Sequence, residues 1–149
     1  MRVVVPALAV LLAACSGQGP AEGTALQPHQ AELQVRDITI RANLVPTRNL
    51  APEMASGYGI ERGDNVVMLM VGVRTGGDGQ HVSVPARVTA SAVDLRGNRA
   101  QLPLRELEAG GFTDHVGTFR VEPPETLTFE VEVRRDGEPP ATLRFNHDF

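Results

Sequence analysis

Residues 127–133 alternate strictly between apolar side chains at odd positions and threonine or glutamate at even positions. A period of two predicts a half-buried antiparallel strand with one face on a core and the other in solvent. The same alternation recurs in residues 118–121 and 142–145. Proline- and glycine-rich residues at 123–124 and 136–140 separate these segments and are typical of turns. The C-terminal third therefore predicts consecutive antiparallel strands.

The middle of the chain contains further strand candidates. Residues 66–73 are apolar except for Gly72, which predicts a central strand covered on both faces. Residues 86–93 alternate again, and residues 95–99 have the composition of a turn. We expect the chain to continue into another strand over residues 101–107.

The first apolar segment, residues 33–44, changes phase part-way along. Its apolar side chains stand at 33 and 35, and then at even positions from 38 onward. One extra residue near Arg36 and Asp37 would restore the register. The pattern therefore predicts a β-bulge within one continuous strand.

These segments amount to about seven short strands with no long helical period, which is typical of a sandwich of immunoglobulin-like type. The expected fold class is therefore all-β, with two antiparallel sheets. One interruption, residues 49–60, suits a short helix. Pro52 fits its first position, Glu53 complements its positive end, and Gly57 can end it.

The N-terminus has the pattern of an export signal. Arg2 precedes an apolar run over residues 3–14, and twelve residues span about 18 Å as a helix, too short for a bilayer core of about 30 Å. A secretory signal peptide is therefore favoured. The sequence Leu-Ala-Ala-Cys ending at Cys15 resembles a bacterial lipobox, and a plain signal peptide with a chance cysteine is the alternative.

The lipobox resemblance implies cleavage after residue 14 and acylation of Cys15, which anchors the protein in a membrane. Ser16 after the cysteine favours the periplasmic face of the outer membrane in a Gram-negative bacterium. Residues 15–31 are rich in glycine and proline and predict a flexible tether, in which His29 is solvated. Residues 32–149 form the predicted sandwich domain.

Composition removes several classes of function. The formal charge is −4, from 14 arginines and 18 acidic residues, which argues against nucleic-acid binding. One cysteine in 149 residues excludes an intrachain disulfide and a cysteine-based zinc site.

Candidate chemistry is sparse. No serine lies in a nucleophile-elbow motif, and the four histidines are not spaced as metal ligands. Met68 and Met70 alternate on one face of a buried strand, where methionine is ordinary packing. We therefore predict no catalytic residue, cofactor or metal. The single tyrosine, Tyr58, and Arg62 lie in the irregular insertion and are the candidate binding residues, since both types anchor interfaces. Packing of Tyr58 at the end of the sandwich and a structural ion pair of Arg62 are the alternative.

Several segments carry a family likeness. They are residues 50–55 with 58–62, then 105–108, 118–121, 125–129 and 144–149. Together they resemble the small proteobacterial lipoproteins catalogued as domain of unknown function 4426. The resemblance implies a periplasmic β-sandwich with no established activity. This chain departs from it at Ala51, where relatives tend to have threonine, and at Asp114 and His115, where they tend to be aromatic.

The sequence thus favours a non-enzymatic lipoprotein that presents its sandwich to another envelope component. Two alternatives stay open: a periplasmic carrier of a small ligand or metal, and a hydrolase whose site is assembled from distant segments.

Overall fold

The computed structural model describes residues 25–77 and 79–149, which form two antiparallel sheets packed face to face. The predicted all-β sandwich is confirmed. The described residues form ten strands: β1 (His29–Val35), β2 (Ile38–Pro46), β3 (Val66–Thr75), β4 (Val82–Ser83), β5 (Arg87–Asp94), β6 (Arg99–Leu102), β7 (Arg105–Ala109), β8 (Phe112–Arg120), β9 (Thr126–Arg134) and β10 (Ala141–Asp148). One sheet has the order β1-β2-β3-β8-β7 with β4 also paired to β3, and the other has β10-β9-β5-β6.

The phase change near Arg36 is a hairpin, so the predicted bulge is wrong. Val35 pairs with Ile38, and Arg36 takes a positive φ of 52° between them. A two-residue turn places both flanking residues on the same face of the sheet. This produces the same switch from odd to even apolar positions as a bulge, but the chain reverses.

Residues 101–107 form parts of two strands rather than one, which contributes to a strand count above seven. β6 belongs to the four-stranded sheet and β7 to the six-stranded sheet, so the chain crosses between sheets at Pro103 and Leu104. Gly117 permits this crossing, because a Cβ there would lie 2.3 Å from the carbonyl oxygen of Pro103.

The main core lies between the sheets. Its largest fully buried side chains include Phe129, Ile40, Leu44 and Leu69. These are inward-facing positions of β9, β2 and β3, as the alternation predicts.

A second, smaller cluster lies on the outer face of the six-stranded sheet. A 3-10 turn (Thr47–Asn49) and the helix α1 (Pro52–Gly57) form the predicted insertion. Their apolar side chains cover Met68 and Val116, so β3 is buried on both faces here. The cluster consists of Leu50, Ala55, Ile60, Met68 and Val116.

The fully buried Thr47 fixes the base of the insertion. Its Oγ1 accepts a hydrogen bond of 3.0 Å from the backbone N–H of Gly63. At the start of α1, Ala51 provides no side-chain cap, so the departure noted at this position leaves the helix uncapped.

The sandwich begins earlier than residue 32. Leu26 is buried in the main core, and β1 starts at His29. The expectation that His29 is a solvated linker residue is therefore wrong, because it occupies an inward-facing position of the first strand. The predicted signal peptide and Cys15 lie outside the described residues. Within the described part of the chain, no helix has the length and apolar character needed to cross a bilayer.

Candidate functional site

The half of the six-stranded sheet that the insertion leaves uncovered forms a groove of about 300 Å³ on the outer face. Strand pairing builds it, since Asn43 lies opposite Met70, and Arg41 lies opposite Gly72, which in turn faces Asp114. The lining residues are Glu32, Thr39, Arg41, Asn43, Met70, Gly72, Arg74, His81 and Asp114.

A mostly buried ion pair forms one part of the groove. Arg74 Nη2 lies 2.5 Å from Asp114 Oδ1, and the two side chains are 18% and 16% exposed. Arg74 also donates to the Thr113 carbonyl at 2.9 Å, and its guanidinium lies 4.7 Å from the centroid of the Phe112 ring. Contacts with three consecutive residues of β8 thus hold the guanidinium in place.

Gly72 makes room for this pair. A Cβ at position 72 would lie 2.9 Å from Asp114 Oδ1 and 3.3 Å from the guanidinium carbon of Arg74. Any larger side chain would displace one partner. The departure at Asp114 therefore has a structural role in this chain: its carboxylate forms an ion pair on the groove.

A second ion pair lies across the groove and is more exposed. The Nη2 and Nε atoms of Arg41 donate to Glu32 Oε2 at 2.6 and 2.9 Å. With two guanidinium groups and two carboxylates, the groove carries a formal charge of zero when His81 is neutral. The Asn43 amide and the Thr39 hydroxyl form no side-chain hydrogen bond to another described residue.

The two candidate binding residues from the sequence lie on the insertion. Tyr58 is half-buried against the second cluster, and its carbonyl accepts a hydrogen bond from Arg105. Arg62 is exposed and donates to the Arg48 carbonyl at 2.8 Å. Met70 packs against the same cluster as Tyr58 and also lines the groove, so it connects the insertion to the groove.

The histidines are placed in ways that sequence spacing does not reveal. His115 is buried, with Nε2 3.8 Å from Glu106 Oε1 and no hydrogen-bond partner for Nδ1 among the described residues. His29 and His147, 118 residues apart, lie with ring centroids 4.8 Å apart. In residues 25–77 and 79–149, no group of three or more His, Cys, Asp or Glu side chains is arranged to hold a metal ion.

The family model for the domain of unknown function DUF4426 matches residues 32–149. The chain belongs to this family. A solved DUF4426 protein from Pseudomonas aeruginosa PAO1 is 28% identical, with a TM-score of 0.69 over 80% of this chain and 94% of that one. Among curated proteins, no sequence matches this DUF4426 chain.

More distant solved structures share the sandwich. A copper-bound variant of FetP from uropathogenic Escherichia coli strain F11 is 9% identical, with a TM-score of 0.59 over 83% of this chain and 98% of that one. The copper-reconstituted P19 protein from Campylobacter jejuni is also 9% identical, with a TM-score of 0.57 over 82% of this chain and 94% of that one. At this identity the likeness establishes the fold of the DUF4426 chain and nothing further.

Proposed function

We propose that this DUF4426 protein is a non-enzymatic binding module of the cell envelope and that the groove is its binding surface. The observation that carries the proposal is that both carboxylates and both guanidinium groups of the groove are paired with each other. Because Glu32 and Arg74 each have a partner in place, a charged ligand would have to break an ion pair.

An uncharged polar ligand fits this surface better. The amide of Asn43 and the hydroxyl of Thr39 supply hydrogen-bonding groups, and the half-buried Met70 supplies an adaptable apolar contact. A peptide segment of another envelope protein has this character, with backbone amides and carbonyls alternating along an extended chain.

Site-specific photo-cross-linking in intact cells tests this surface. A photoreactive residue replacing Thr39 is expected to give a discrete protein adduct. The same residue at Thr142, on the outer face of the other sheet, is the matched control and is expected to give none. Asn43→Trp, which fills the groove, should abolish the Thr39 adduct. Equal adducts at both positions, or none at Thr39, would contradict the proposal.

Tyr58 and Arg62 lie on the insertion, and Tyr58 packs against the cluster that Met70 connects to the groove. Arg62→Ala is the cleaner test, because the side chain is exposed and its hydrogen bond within the described residues goes to the Arg48 carbonyl. Loss of the Thr39 adduct in this variant would extend the binding surface onto the insertion. Retention of the adduct would restrict the surface to the sheet.

The anchor is a separate part of the proposal. We infer that acyl chains on Cys15 hold the domain at the periplasmic face of the outer membrane, as the lipobox resemblance implies. The expected result for Cys15→Ala is release from the membrane fraction. Persistence of this variant in the outer-membrane fraction would overturn the anchor while leaving the groove untouched.

A second candidate function is copper carriage, favoured by the fold shared with copper-bound FetP and copper-reconstituted P19. The groove contains a thioether, Met70, and an imidazole, His81, and both are donors that suit Cu(I). The carboxylates of Glu32 and Asp114 are already engaged by guanidinium groups. The two remaining donors, the Met70 thioether and the His81 imidazole, therefore suit a soft ion held by few protein ligands.

Competition with a chromogenic Cu(I) chelator tests this candidate. Met70→Leu and His81→Ala should each weaken binding, whereas Met68→Leu, under the insertion and 4% exposed, should not. Equal Cu(I) affinity in all four proteins would exclude the groove as the copper site.

A further inference from the structure

The edges of the two sheets meet where two histidines face each other. His29 lies in β1, the edge strand of the six-stranded sheet, and His147 lies in β10, the edge strand of the other. Their ring centroids are 4.8 Å apart, with planes inclined at 31°. We propose that His29 and His147 form a two-histidine site for a divalent transition-metal ion that bridges the two sheets. The proposal does not depend on the groove.

The separation of the rings agrees with shared coordination. Imidazole nitrogens bind Zn²⁺ at about 2.0–2.1 Å, and the ring centre lies about 1 Å farther out. Two imidazoles about 100° apart around one ion therefore have centroids about 5 Å apart. The observed 4.8 Å is close to this value, so the separation of the rings is compatible with one shared ion.

Aromatic neighbours hold both rings at the seam, which is the line along which β1 and β10 meet. His29 stacks on Phe145 with centroids 5.6 Å apart, and Phe149 meets His147 edge-on at 4.6 Å. These ring contacts restrict the orientations of both imidazoles.

Two imidazole ligands, with coordination positions left for water, indicate which metal ions the site would bind. Both rings are half-buried and remain accessible to solvent, and no third protein ligand joins them among the described residues. Water can complete the coordination of a borderline ion such as Zn²⁺, Ni²⁺ or Cu²⁺, all of which favour imidazole. A bound ion would tie β1 to β10, close to where the N-terminal segment joins the domain.

Calorimetric titration of the full chain with Zn²⁺ tests the site. His29→Phe and His147→Phe keep an aromatic ring at each position while removing the ligand, and Gln34→Phe, at an exposed position of β1, is the matched control. Each protein also carries Cys15→Ala, because a free thiol binds Zn²⁺. Loss of a group that merely orients a ligand costs about 10–100-fold in metal affinity, so loss of either ligand should cost at least about tenfold.

Two further readouts separate a bridge from a nonspecific site. Zn²⁺ should raise the Tm of the parent and of Gln34→Phe but not that of His29→Phe or His147→Phe, since a single ligand cannot link the sheets. Imidazole ¹⁵N resonances of His29 and His147 should move together on titration. If a phenylalanine variant is misfolded, His147→Gln repeats the measurement. Three results would each overturn the proposal. They are unchanged Zn²⁺ affinity in both His29→Phe and His147→Phe, ¹⁵N chemical-shift changes confined to His81 or His115, and no Zn²⁺ binding by the parent.

Discussion

The ion pair between Arg74 and Asp114 should make a measurable contribution to stability. Each side chain is less than one-fifth exposed, so removing one partner leaves the other charge in a site that water reaches only in part. Breaking a fully buried pair costs about 3–5 kcal/mol. Because residual exposure relieves part of that cost, we expect about 2–3 kcal/mol for Asp114→Ala.

Arg74→Ala should cost slightly more than Asp114→Ala. It also removes the hydrogen bond to the Thr113 carbonyl and the contact with the Phe112 ring. A cation–π contact contributes about 0.5–1 kcal/mol at a partly exposed site. In a domain of this size, each kcal/mol lowers the Tm by about 3–5 °C.

A double-mutant cycle measured by urea unfolding isolates the coupling between the two side chains. We expect a coupling energy of about 1–2 kcal/mol, within the range observed for residues in direct contact. Arg120 and Glu61, which are 73% and 81% exposed with Nη2 and Oε1 3.8 Å apart, provide the control cycle. Exposed pairs of this kind contribute little. Coupling no larger than in the control would refute the reasoning that burial gives this pair its strength.

Three further predictions concern packing, the insertion and pH. Gly117→Ala should destabilise by about 1–3 kcal/mol in thermal unfolding because its Cβ would overlap a backbone carbonyl, whereas Gly57→Ala, with nothing within 4 Å, should be neutral or slightly stabilising. Thr47→Val should cost about 1–3 kcal/mol and speed hydrogen exchange at the Gly63 amide, which loses its acceptor. Burial lowers the pKa of His147, with the positive charge of His29 adding to the effect and Asp148 and the Gln27 backbone opposing it. Between the folded pKa and the unfolded value of about 6.5 the unfolded state binds more protons, so stability should fall on acidification below about pH 6.5. In His147→Phe, the urea midpoint should depend less on pH over this range, when it is measured with a chelator present to remove bound metal. The same pH dependence of the midpoint in the variant and the parent would contradict this prediction.

The sandwich was predictable because its signal is local. Alternation in residues 127–133 depends only on which side chains face the core. β9 (Thr126–Arg134) covers this segment with one more residue at each end, and its apolar positions are buried. The hairpin at Arg36 was not predictable from alternation, since a bulge and a two-residue turn give the same change of phase. The crossing at Pro103 was missed for a related reason: a strand that leaves one sheet and continues in the other keeps its period.

The groove depends on register, which the sequence pattern does not contain. Glu32 meets Arg41 only because β1 pairs with β2, and Arg74 meets Asp114 across two strands forty residues apart. One signal was nevertheless present. Gly72 interrupts an otherwise apolar run, and glycine inside a strand often marks a close approach by another group. Here the approaching group is the side chain of Asp114.

The outer face of β3 shows why the groove ends where it does. Met68 is buried under the insertion, Met70 is half-buried at its margin, and Gly72 and Arg74 lie in the open groove. Removing the insertion would extend the groove but expose Met68 and Val116, an apolar surface that favours aggregation. Tyr58 packs on that same cluster, so its first role is to keep the surface covered. Its effect on binding must therefore be judged with Tyr58→Phe, which keeps the ring in place and removes only the hydroxyl, because Tyr58→Ala would alter the cover and the groove margin together.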